Sequence, residues 1–103
     1  MKVSMTPDIG IGYISCSQND TQMRKWEFQL MNGDDIYTPS GNISLVCSNQ
    51  VEVPMAIIGD TLYCDCTSEL SQKSGSYDCK IKIETNDEVL YSARIILKVE
   101  ARP

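Results

Sequence analysis

The chain has 103 residues, nine Lys and Arg against fourteen Asp and Glu, a net charge of −5, five Cys and no His. That length holds one hydrophobic core and no second domain. Without His there is no Ser-His-Asp triad, Cys-His dyad, zincin helix or His-held haem, and an acidic balance argues against nucleic acid as a partner.

Residues 1–10 read as an extended N-terminal arm. Lys2 is the only cation before Ile14, and Thr6, Pro7, Asp8 and two Gly interrupt the segment, so it has no signal-peptide pattern. A reducing cytoplasm is the expected site of synthesis. The longest apolar runs, Met55-Ala56-Ile57-Ile58 and Ile95-Ile96-Leu97, are too short to cross a membrane. The sequons at Asn19 and Asn42 are read as chance in a chain rich in Asn, Ser and Thr.

The prevailing period is two, the period of strands. A short strand is predicted over Ile11 to Ser15. From Arg24 to Met31, Trp26, Phe28 and Leu30 share one face, and Lys25, Glu27 and Gln29 the other. Asn32-Gly33-Asp34-Asp35 and Pro39-Ser40-Gly41-Asn42 are turns. Strands follow over Ile43 to Ser48, Val51 to Ile57 and Thr61 to Cys66, with Gly59-Asp60 as a turn. Pro54 has no N–H, so its strand is expected at an edge or broken there. Thr67 to Lys73 has room for one helical turn at most. From Tyr77 to Glu84, Tyr77, Cys79, Ile81 and Ile83 point inward, against Asp78, Lys80, Lys82 and Glu84 outward. The final strand, Val89 to Val99, puts Tyr91, Ala93, Ile95, Leu97 and Val99 on one face. The expected fold is all-β: one antiparallel β-sandwich of about seven short strands, undivided from residue 1 to 103.

The last hairpin poses a register question. A two-residue Asn86-Asp87 loop sets Ile83 opposite Leu90 and turns Ser92 and Arg94 into the core. An odd loop pairs Ile83 with Tyr91 or Val89 and keeps the apolar sets together, so the core favours the odd loop.

No catalytic constellation emerges. Asp34-Asp35 and Asp87-Glu88 are adjacent acids in turns and read as solvated turn residues. Gly10-Ile11-Gly12 lacks the pattern that cradles phosphate, and Lys80 and Lys82 alternate with acids. Cys64 and Cys66 share a strand face about 6.6 Å apart, the long limit for a bridge. A zinc site from Cys47, Cys64, Cys66 and Cys79 lacks the C-x-x-C turns such sites use. These four Cys fit inward faces as small hydrophobes. No metal, cofactor or catalytic residue is expected. The expected core is Trp26, Phe28, Leu30, Tyr77, Cys79, Ile81, Ile83, Ile95 and Leu97.

Cys16, Trp26 and Tyr77-Asp78-Cys79, with Leu70 and Gly75 ahead of Tyr77, resemble the immunoglobulin-domain pattern. In a secreted adhesion or binding domain of that superfamily, the resemblance implies a Cys16–Cys79 disulfide. A second resemblance spans about Ile11 to Val99. Gln18-Asn19-Asp20-Thr21 leads to Arg24 and the Trp26-Glu27-Phe28-Gln29-Leu30 strand. Asn32-Gly33 through Tyr37 to Gly41 follows, and then Ser74-Gly75-Ser76-Tyr77-Asp78-Cys79-Lys80-Ile81-Lys82-Ile83 with a closing strand. This order resembles the N-terminal domain of baseplate upper proteins from phages of Gram-positive bacteria. That resemblance implies an immunoglobulin-like, non-enzymatic structural module. It would be made in the host cytoplasm, then carried in the virion tail, homo-oligomeric in the particle and docked on other baseplate proteins, with neither nucleic acid nor membrane as partner. The family's docking surface has no residue signature to transfer. This chain departs from the pattern by ending at Pro103, just after the domain.

Overall fold

The computed structural model describes residues 1–6, 11–19 and 25–101. Arg24, the Asp20-Thr21 part of the first resembling segment, and the second half of the predicted arm lie outside the described residues. Eleven strands are present among the described residues: β1 (Lys2–Ser4), β2 (Gly12–Ser17), β3 (Lys25–Asn32), β4 (Asp35–Tyr37), β5 (Asn42–Cys47), β6 (Glu52–Pro54), β7 (Ala56–Ile58), β8 (Thr61–Asp65), β9 (Gly75–Glu84), β10 (Val89–Tyr91) and β11 (Ile95–Glu100). They form two sheets packed as a sandwich. One has the order β1-β3-β8-β7, with β4 on β3; the other has the order β2-β11-β9-β5-β6, with β10 on β9.

The core lies between the sheets, where the inward set of each strand meets the other's. Phe28 and Leu30 of β3, Leu62 and Cys64 of β8, Leu45 of β5, Cys79, Ile81 and Ile83 of β9, and Ile95 and Leu97 of β11 are all buried. The alternation predicted for β3 and β9 is the one observed. Trp26 and Tyr77 are only half-buried and pack against the margin of this core.

The strand count exceeds seven because two predicted strands are divided and two more, β1 and β4, form where none was predicted. The run predicted over Val51 to Ile57 breaks at Pro54-Met55. β6 ends on Pro54 at the edge of one sheet, and the chain crosses to form β7 at the edge of the other. A residue without an N–H ends pairing on one sheet, and the chain is then available to the second. The predicted arm also contributes: Lys2–Ser4 pairs with Gln29–Met31 of β3 and buries Val3.

The sandwich is not wholly antiparallel. β1 runs parallel to β3, and β2 parallel to β11. Parallel neighbours need a long connection between them, and nearly the whole chain separates β2 from β11.

The last hairpin corrects the predicted register. Val89 sits opposite Glu84 and Leu90 opposite Ile83, the even arrangement. Beyond it, Ile95 sits opposite Cys79, the odd arrangement in which Ile83 would face Tyr91. One extra residue is absorbed between β10 and β11, as in a β-bulge. Both Ser92 and Ala93 are buried there. Ser92 satisfies the interrupted ladder with its side chain: Oγ accepts from the Ile81 N–H at 2.9 Å and donates to the Ala93 carbonyl at 2.8 Å. Tyr91 is therefore exposed, not inward, and Leu90 packs on the core.

Two local devices hold the ends of the sandwich. Gly41, before β5, has φ +95°, and a Cβ there would collide with the Glu84 carbonyl oxygen. Only glycine meets both conditions. Between β8 and β9, Thr67 Oγ1 accepts from the Leu70 N–H, and Leu70 and Ser71 are buried under the turn. This segment makes a turn and no helix. Just beyond, the Tyr77 hydroxyl donates to the Lys73 carbonyl at 2.8 Å.

Candidate interaction surface

A sandwich has four outer edges, and an open edge pairs with any strand offered to it. Among the described residues the main ladders end in β1 and β7 in one sheet and in β2 and β6 in the other, with β4 and β10 each added to one neighbour. β6 carries Glu52 and Pro54, a charge and a missing donor that discourage pairing. β2, Gly12–Ser17, is six residues long and carries no charge and no Pro. Its ladder partner among the described strands is β11.

The alternation of β2 buries Ile14 and Cys16 and exposes Tyr13 and Ser15. Tyr13 is 67% exposed, a high value for a large aromatic. Around this edge runs an open groove of about 560 Å³, lined by Met1, Tyr13, Ile14, Ser15, Trp26, Lys98 and Glu100. Its floor is apolar and one rim holds the Lys98–Glu100 ion pair, 3.8 Å apart. Exposed pairs of this kind add little stability, so the rim is free to exchange partners. A strand without charge or Pro beside an aromatic-lined groove is a surface that suits a docked segment. On the far edge, β7 exposes Ala56, Ile57 and Ile58 as a shorter apolar strip. Sequence periodicity located Trp26 on the core face; it could not show that the face ends there, leaving the ring half in a groove.

The adjacent acids do not line the groove beside β2. Asp34, Asp87 and Glu88 are exposed in their turns, and Asp35, predicted in the turn, is exposed as the first residue of β4, paired with Asn32. Asp78 pairs with Arg94 at 3.8 Å, and Glu52 with Lys82 at 3.8 Å, across the outer face of the second sheet. No group of three or more Cys, Asp or Glu side chains among the described residues is placed to hold a metal ion.

All five Cys are buried. The Cys16–Cys79 bridge implied by the immunoglobulin pattern does not form. Cys16 is on β2 opposite Val99, and Cys79 is on β9 opposite Ile95. β11 lies between them, so the two are about 9.5 Å apart across the sheet and about 13 Å apart along it. A disulfide tolerates about 7 Å between Cα atoms. The sequence pattern failed because it assumed that Cys16 and Cys79 flank the core from facing sheets. Cys16 instead belongs to the same sheet as Cys79.

Cys79 has a different neighbour. Cys47 of β5 is its register partner, and the Cys79 Sγ–H donates to Cys47 Sγ at 2.7 Å. This contact holds the Cys79 proton and raises its pKa, with burial adding to the effect. Cys64, on the facing sheet, is pushed up to about 12, first by burial and then by the charges that Cys47, Asp65 and Cys66 would carry. The juxtaposition was present in the sequence as mirrored spacing. Ile43-x-Leu45-x-Cys47 and Cys79-x-Ile81-x-Ile83 become opposed once Ile43 is set against Ile83.

Comparison of the chain with protein-family models gives no match, and comparison with curated proteins gives none either.

Proposed function

We propose that the chain is a non-enzymatic structural and assembly module of a phage tail baseplate, docking receptor-binding parts onto the tail. The observation that carries this reading is the exposed Tyr13 of β2 beside the groove it lines with Trp26, a surface suited to docking a neighbouring protein. The sequence resemblance to baseplate upper proteins supplies the class of partner: other tail proteins and further copies of the chain. In this reading it is made in the host cytoplasm and carried in the virion, and neither nucleic acid nor membrane is a partner.

The finer fold reading is immunoglobulin-like. β3, β8 and β7 stand as the B, E and D strands, and β5, β9 and β11 as C, F and G, with β6 extending the second sheet. The Tyr77 hydroxyl bonded to the Lys73 carbonyl, two residues before Cys79, has the form of the tyrosine corner of such domains. β1 departs from the pattern by running parallel to β3, and the aromatic residue on the core margin, Trp26, is on the B-like strand instead of C. The alternative, an adhesion or binding domain of the immunoglobulin superfamily, loses the Cys16–Cys79 bridge on which it rested.

The gene neighbourhood tests the proposal. Tail-tape, distal-tail and lysis genes beside the coding sequence are expected; a neighbourhood of surface-adhesion or metabolic genes overturns it.

A further inference from the structure

The contact between Cys47 and Cys79 has a geometry of its own. Cys47 is the last residue of β5, and Cys79 lies opposite it on β9. The adjacent pair exchanges a ladder bond, Ser48 N–H to the Asp78 carbonyl at 2.8 Å, while the Cys47 N–H turns away to the Val51 carbonyl at 3.0 Å. Cys47 and Cys79 thus form a non-hydrogen-bonded pair. In such pairs the Cα atoms approach to about 4.5 Å and the side chains converge. That separation lies inside the range a disulfide spans. The sulfurs already face each other at 2.7 Å.

We propose that Cys47 and Cys79 are an oxidisable dithiol that closes a disulfide between neighbouring strands of one sheet. The oxidant is a small disulfide of the glutathione type. One protein thiolate attacks it, forming a mixed disulfide and releasing one small thiol. The second protein thiolate attacks the sulfur of the first, expelling the other small thiol. The protein loses two protons and two electrons, and the oxidant gains them as two thiols.

Cys47 is the entry point. It keeps 9% of its surface exposed, against 1% for Cys79. It ends its strand, and the turn beyond it is exposed at Ser48 and Gln50. Asn49, Val51 and Tyr77, which flank the pair in sequence, line a surface depression of about 200 Å³. In the closed fold Cys79 is held away from the thiolate form by its bond to Cys47 and by burial. The reaction therefore belongs to folding and to opening of the β5 end, and the closed fold resists the reagent.

The test is refolding of the reduced chain in a buffer of reduced and oxidised glutathione. Denaturation, alkylation of the remaining thiols and peptide mass mapping follow. Cleavage at Lys and Arg and at Met separates Cys47 from Cys64 and Cys66 at Met55, and Cys79 from them at Lys73. The expected product joins the Cys47 and Cys79 peptides, is lighter by two hydrogens, and has Cys16, Cys64 and Cys66 alkylated. Cys64→Ala is expected to keep the bridge and Cys47→Ala to lose it. Alkylation of all five Cys in the wild type, or a bridge through Cys16, Cys64 or Cys66, overturns the proposal. The wild-type map decides the matter even where a variant fails to fold.

Discussion

Replacing Ser92 with Ala removes one oxygen atom from the bulge that lets an even hairpin feed an odd strand register. Two hydrogen bonds go with it. The Ile81 N–H, in the middle of β9, loses its acceptor at 2.9 Å, and the Ala93 carbonyl loses a donor at 2.8 Å. Ser92 is 1% exposed, so water does not replace the oxygen without opening the strand. A buried donor left without a partner costs about 1–3 kcal/mol, and the second bond adds about 1 kcal/mol, for a total of about 2–4 kcal/mol. In a domain of this size that corresponds to a fall in Tm on the order of 10–20 °C. Urea unfolding followed by Trp26 fluorescence measures it, with the slope against denaturant unchanged. Hydrogen exchange at the Ile81 amide is expected to accelerate, and Ser92→Thr, which keeps the hydroxyl, to recover part of the loss. A loss below about 0.5 kcal/mol with the Ile81 amide still protected would refute the bulge and return the strand to a continuous register.

Four further outcomes are expected. The Cys64 thiol titrates near 9 when unfolded and near 12 when folded, so the folded chain keeps a proton that the unfolded chain releases between those values. Stability is then unaffected below pH 9 and falls above it, by about 1.4 kcal/mol per pH unit for this thiol, and Cys64→Ala removes that component of the slope in urea melts taken on either side of pH 9. Tyr77→Phe deletes the hydroxyl bond to the Lys73 carbonyl and is expected to cost about 1 kcal/mol by the same melts. Gly41→Ala meets both a positive φ and the Glu84 carbonyl, and a loss of more than about 1 kcal/mol in thermal unfolding checks it. Closing the Cys47–Cys79 bridge, 32 residues apart in sequence, is expected to raise the unfolding free energy of the oxidised protein over the reduced one by about 3–4 kcal/mol.

The all-β class and the inward sets of β3 and β9 were legible because alternation of apolar and polar side chains reports directly on which face is buried. Pro54 was legible for the same local reason, a missing donor. The features that escaped are those decided by partners distant in the chain. Whether Lys2–Ser4 hangs as an arm or joins β3 depends on an edge offered by residues 29–31, which no local pattern records. The hairpin argument correctly required an odd register for Ile95 and Leu97. It erred in carrying that requirement back to the turn, because a buried Ser92 can replace a backbone partner and absorb one residue. The cysteine pairing failed similarly. Spacing from Cys16 to Trp26 and from Tyr77 to Cys79 suits an inter-sheet bridge, but the assignment of each strand to a sheet decides which sulfurs meet, and it sets Cys79 against Cys47. For the interaction surface, β2 was legible as a strand, but its place beside the Tyr13–Trp26 groove was not.

Location in the particle tests the central claim most directly. Antibody against the chain, coupled to gold and applied to purified phage particles from the strain that carries the gene, is expected to label the distal end of the tail. Replacing Tyr13 with Glu, which places a charge on the exposed β2 edge, is expected to abolish that label while leaving the isolated domain folded. Particles that carry no label, with the chain recovered only from the cell envelope or cytosol, would contradict the assignment to the baseplate.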